Sequence, residues 1–219
     1  MAPRGRLCAA PWPVLAGMMV LMAVRLNTGH AQSPAPMTFF VASTGRGFGG
    51  NLGGLDGADA HCQRLAAVVG QGGRIWRAYL SSPAADGRPA VDARDRIGRG
   101  PWFNAEGVRI ASDVADLHGD AAGLSRDTAL TEKGALVGPT RHDILTGSAP
   151  DGTLSAEAPD TTCHGWTSSA GGAAMLGHSN RYGGGRPGSW NAAHLSRGCS
   201  QQALRASLGD GLFYCFAAD

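Results

Sequence analysis

The side chains of this 219-residue chain that could react, cross-link or hold a metal are five cysteines, seven histidines and 17 carboxylates. Cys62, Cys163, Cys199 and Cys215 form an even set in a domain with an export signal, which reads as a disulfide framework. Four cysteines allow three pairings, and spacing alone does not choose among them. The histidine and carboxylate neighbours are His118 with Asp120, His142 with Asp143, then His178 and His194. None shows a zinc spacing such as His-x-x-x-His, so the sequence predicts scattered surface or hydrogen-bonded histidines and no metal ligands. Gly-x-Ser-x-Gly, Ser-x-x-Lys and His-Glu-x-x-His are all absent, and Gly177-His178-Ser179-Asn180-Arg181 lacks the second glycine of a nucleophile elbow. No catalytic residue is therefore expected. Gly45-x-Gly47-x-x-Gly50 matches a dinucleotide fingerprint in form only. Its glycines lie several residues before the next helix, too far for a helix N-terminus to meet a pyrophosphate.

The N-terminus reads as a secretory signal. Arg4 and Arg6 precede an uncharged apolar run from Val14 to Val24, and Gly29-His30-Ala31 offers small residues for cleavage after Ala31. A run that short does not reach the length of about 20 residues that spans a bilayer. Cys8 leaves with the signal. The expected organisation is a signal peptide over 1–31, a Pro-rich linker over 32–36 and a domain over 37–219. Loss of Arg4, Arg6 and Arg25 with no acid takes the formal charge from +2 to −1. That balance gives no electrostatic case for nucleic acid or an anionic membrane. The expected location is secreted or periplasmic.

Elements must position these residues. Phe39, Phe40 and Val41 centre a strand within Met37–Ser43. Leu55, Ala58, Cys62, Leu65, Ala66 and Val69 recur by threes and fours and predict a helix over 55–69, stopped by Gly70. Strands are expected within Ile75–Leu80 and Asp143–Thr146, and a hairpin from Trp102-Phe103 to Val108–Ala111. The polar stretch from Ser112 to Thr140 has room for a short helix. Short strands are expected near Trp166, Trp190 and Phe213. With 34 glycines, the chain should carry long loops on a modest scaffold.

Three segments together carry a resemblance: Gly50-Asn51-Leu52-Gly53-Gly54-Leu55-Asp56-Gly57-Ala58-Asp59-Ala60-His61-Cys62, Cys163-His164-Gly165-Trp166, and Gly211-Leu212-Phe213-Tyr214-Cys215-Phe216. From about Phe39 to Phe216 the chain resembles the C-type-lectin-like (endostatin-like) domains of secreted bacterial proteins. The resemblance implies an α+β fold of short twisted antiparallel strands, one or two helices, long loops and nested disulfides, Cys62–Cys215 and Cys163–Cys199. Trp190-Asn191 resembles the start of the Trp-Asn-Asp motif that binds calcium and sugar in such lectins. Ala192 stands where the aspartate would be, and the companion Glu-Pro-Asn triplet is missing. Calcium takes hard oxygen ligands, so no calcium requirement and no cofactor is expected.

Sugars offer apolar faces to aromatic rings while polar groups fix their orientation. Trp190, Asn191, Tyr182, Asn180, Arg181 and Asp151 are the expected ligand-binding set, within the loop region 147–194. Trp166 is expected in the core beside a disulfide. The sequence thus points to a non-catalytic ligand-binding module, with carbohydrate first among ligands and a glycan or surface protein as partner. The alternatives are a secreted hydrolase whose site sequence inspection misses, and an envelope adhesion or interaction protein.

Overall fold

The C-terminal strand organises the molecule. In this computed structural model, which describes residues 1, 36–85, 87–181 and 188–219, the strand β8 (Gly209–Ala217) is nine residues long. Its Leu212–Phe216 run is buried throughout, because both faces of the strand are covered. Phe213, Cys215 and Ala217 face one core with Phe40, Trp76 and Trp166. Leu212, Tyr214 and Phe216 alternate into a second core with Phe39, Tyr79, Trp102 and Trp190. A period-2 chain between two apolar layers therefore reads as an unbroken apolar run.

Around β8 lie β1 (Phe39–Val41), β2 (Trp76–Ala78) and β5 (Asp143–Leu145), followed outward by β6 (Met175–His178) and β7 (His194–Leu195). β1 and β2 pair with the second half of β8 in antiparallel register, and β5 runs parallel to its first half. β5–β6 and β6–β7 are antiparallel. A separate hairpin joins β3 (Trp102–Phe103) to β4 (Arg109–Ala111). These elements belong to one unit, Pro34–Asp219. The expected signal peptide and Cys8 lie outside the described residues. Among the described residues no helix is long and apolar enough to cross a membrane.

The helix α1 (Gly54–Val68) buries Ala58, Cys62 and Ala66, the face that the spacing selected. It ends as expected: Gly70 adopts φ +76°, its N–H reaches the Ala67 carbonyl, and the Gln71 N–H reaches that of Ala66. That double closure satisfies two terminal carbonyls. Asp59 docks α1 on β2. Its Oδ1 accepts the Ala78 N–H at 2.9 Å, and its Oδ2 takes Arg77 and Arg96 at 2.6 and 2.8 Å.

Beyond a 3-10 turn at Ala93–Asp95, the described residues form three short helical elements: α2 (Val114–Leu117), α3 (Cys163–Trp166) and α4 (Gln201–Ala206). The disulfides are Cys62–Cys215, from α1 to β8, and Cys163–Cys199, the pairs that the resemblance implied. Closing loops of 153 and 36 residues stabilises by about 5 and about 4 kcal/mol in the chain-entropy picture. Gly50 shows why the glycine-rich loop before α1 needs glycine. A Cβ there would lie 2.6 Å from Cys163 Sγ, so the loop packs directly against the disulfide.

The expected strand near Trp166 is not formed. α3 is a left-handed turn, with φ +49°, +56°, +62° and +68° at Cys163, His164, Gly165 and Trp166. Left-handed conformation costs about 1–2 kcal/mol per non-glycine residue, and three of the four carry a side chain. The surroundings hold it. Thr162 Oγ1 accepts the Gly165 N–H, Asp160 Oδ2 accepts the His164 N–H, and the buried Trp166 indole donates to the Ser81 carbonyl at 2.7 Å.

Candidate functional site

The described residues of the expected ligand-binding set do not offer one open surface. Trp190 is 4% exposed and Asn191 2%. The Trp190 ring packs on Tyr79 and Tyr214, and its indole donates to the Leu117 carbonyl. Asn191 Nδ2 donates to the Tyr79 hydroxyl and to the Ala149 and Pro150 carbonyls. Both are therefore interior supports; neither offers an open face, which corrects the expectation of a stacking site there. Arg181 is spent on the Gly188, Ala122 and Leu124 carbonyls. Asp151 is exposed and caps its own turn at Thr153. Asn180 is half-buried in the turn after β6. Tyr182 lies outside the described residues.

One open feature does use the 147–194 region. The left-handed turn α3 forms a wall of a groove of about 570 Å³. Leu55, Pro83 and Val91 supply apolar lining, while Arg88, His164 and Thr167 supply polar tips. His164 is well exposed, and its Nδ1 lies 3.3 Å from Asp160 Oδ2. The lining residues Pro83, Arg88 and Val91 come from a segment tied by Ser82–Val91 and Ala85–Arg88 bridges.

The second feature overturns the reading of scattered histidines. β5 and β6 pair Asp143 directly with His178, and β6 and β7 pair Leu176 with His194. Partners in register share a face, as do residues two apart. Asp143, His178 and His194 therefore meet on one face at one end of three strands, and His142 joins from the residue before β5. The Nε2 atoms of His142 and His178 each lie 3.2 Å from Asp143 Oδ1, and that of His194 lies 3.2 Å from Oδ2. Ligand atoms of His142, Asp143 and His178 all fall within 4.8 Å of one another.

These contacts are close in distance but not aligned as hydrogen bonds. Both Asp143 oxygens and both His178 ring nitrogens are buried with no hydrogen-bond partner. Burial alone would raise the Asp143 carboxyl; His178 and His194 beside it outweigh that and hold it below the usual carboxylate value. The contact with Asp143 in turn raises His194. A groove of about 240 Å³ runs past His194 between Leu195 and Leu208.

Sequence inspection found these histidines singly and missed their convergence. The available signal was positional: Asp143 opens an expected strand, and His178 closes the apolar run Ala173–Leu176 after one glycine. No protein-family model matches this chain, and no curated protein is detectably similar to it in sequence.

Proposed function

We propose that the chain is an exported, non-catalytic binding module of C-type-lectin-like form, working in the periplasm or outside the cell. Its ligand is hydroxyl-rich, with a surface glycan as the first class to test. The observation that carries this reading is the left-handed turn at Cys163–Trp166, held by a disulfide and forming a wall of an open groove. Backbone held in a costly conformation by its surroundings collects at binding sites. Cross-linked loops also lose little entropy when a ligand docks. With Trp190 in the interior, recognition rests on Arg88, His164 and Thr167 over the Leu55–Pro83–Val91 floor. Two disulfides fit an oxidising compartment.

A glycan array probed with the purified protein, with calcium and with chelator, tests the reading. The expected result is a restricted set of glycans bound equally in both conditions, with Arg88→Ala plus His164→Ala weakening binding at least about tenfold, the loss of roughly one charged hydrogen bond. Binding that ignores both substitutions, or that requires calcium, would overturn it.

A further inference from the structure

We infer that His142, Asp143 and His178 form a binding site for a divalent transition-metal ion of the zinc class. This goes beyond the binding-module reading and does not rest on it, since the groove at α3 contains none of these residues.

His142 Nδ1 lies 2.6 Å from the Pro139 carbonyl, and His194 Nδ1 lies 3.0 Å from the Leu195 carbonyl. A carbonyl only accepts, so in both rings Nδ1 carries the proton. In a neutral ring, Nε2 then presents a lone pair, and in both cases Nε2 faces a carboxylate oxygen at 3.2 Å. Lone pair against lone pair is repulsive unless a positive charge lies between or beside them. The ring centres of His142 and His178 are 5.1 Å apart and those of His178 and His194 5.0 Å, so three imidazoles crowd one carboxylate. One metal ion supplies the missing charge with a single centre.

Geometry and donor type agree. Ligand atoms about 2.0–2.1 Å from a tetrahedral ion lie roughly 3.3 Å apart, close to the 3.2 Å between Asp143 Oδ1 and each of two Nε2 atoms. A ligating imidazole commonly donates its other N–H to a backbone carbonyl, which fixes the tautomer; His142 already does so through Pro139. Two imidazoles and one carboxylate suit zinc and its neighbours; calcium and magnesium want oxygen donors throughout. Asp143 and His178 side chains are 1% and 2% exposed, so this is not an incidental surface cluster. His142 at 14% and His194 at 31% side-chain exposure, with the groove past His194, leave a route in.

Calorimetric titration of the untagged, metal-stripped protein with zinc chloride tests the inference. The expected result is saturable binding of about one ion per chain, with no comparable response to calcium or magnesium. His142→Ala, at the least buried of the three ligands, should weaken zinc at least about 10–100-fold while circular dichroism stays unchanged. His164→Ala, at an exposed histidine elsewhere, should leave zinc binding as it was. If His178→Ala does not fold, cobalt absorption of the wild type reads the same site: intense four-coordinate visible bands that His142→Ala abolishes. No saturable zinc binding, or zinc binding that His142→Ala leaves intact, would overturn the inference. Glycan binding through the α3 groove would stand or fall separately.

Discussion

Two of the polar clusters inside this domain differ in how their lone pairs are met. In the first, Asn191 Nδ2 donates to Tyr79 Oη at 3.0 Å, Tyr79 donates to His118 Nε2 at 2.7 Å, and His118 Nδ1 donates to the Val114 carbonyl at 2.8 Å. The chain of donors and acceptors closes within the protein. In the second, around Asp143, three imidazoles crowd a carboxylate at 3.2 Å and no hydrogen bond forms on either of its oxygens. Buried polar groups are almost always satisfied. A group that satisfies itself is part of the architecture, and a group that does not is arranged for something that arrives from outside. The Trp190-Asn191 dipeptide falls in the first class, although its residue types suggested the second.

Substitutions can break this contrast. Trp190→Ala should have the largest effect, lowering stability by about 3–5 kcal/mol as a buried tryptophan lost from a packed core. Chemical denaturation measures it, and a loss under about 1 kcal/mol would mean that the ring is not a support. Tyr79→Phe keeps the packing but leaves His118 Nε2 without its donor. The expected cost is about 1–3 kcal/mol, read by the same method. A neutral result would show that the first network is not closed as described.

The two groups should also differ on acidification. Burial lowers the His118 imidazole below its ordinary value near 6.5. The unfolded chain therefore takes up the proton first as pH falls. Stability from neutral His118 is fully present above about pH 6.5 and is lost as pH drops toward the lower folded value. Unfolding curves from pH 8 to pH 5 should slope downward in the wild type and less so in His118→Gln. Parallel curves would contradict the assignment. Asp143→Asn in metal-free protein should have the smallest effect, within about 1 kcal/mol, because no aligned hydrogen bond is lost. A cost of about 3–5 kcal/mol, the usual result of breaking a true buried ion pair, would place Asp143 with the satisfied group.

The sequence makes some of this legible and hides the rest for physical reasons. The spacing from Leu55 to Val69 locates α1 to within one residue, because helix periodicity is a local property. The hairpin at Trp102–Ala111 and the strands around Phe40, Trp76, Ile144 and Phe213 follow from local pattern as well. α4, six residues capped by Ser200, is too short for periodicity to register. The left-handed turn at Cys163–Trp166 escapes because three of its residues would not choose that conformation alone; Cys199, Asp160 and Ser81 impose it from a distance. The Asp143 cluster escapes for a related reason. His142 and Asp143, His178 and His194 are far apart in sequence, and only the β5–β6–β7 register aligns them. A metal spacing can be read from a sequence when one helix or one loop carries it. Here two strands, β5 and β6, share it.

The most direct measurement is anomalous diffraction at the zinc edge from crystals grown with zinc. This account predicts a peak about 2.0–2.2 Å from His142 Nε2, Asp143 Oδ1 and His178 Nε2. A map with no peak at that cluster, or with zinc only on exposed histidines such as His164, would contradict it.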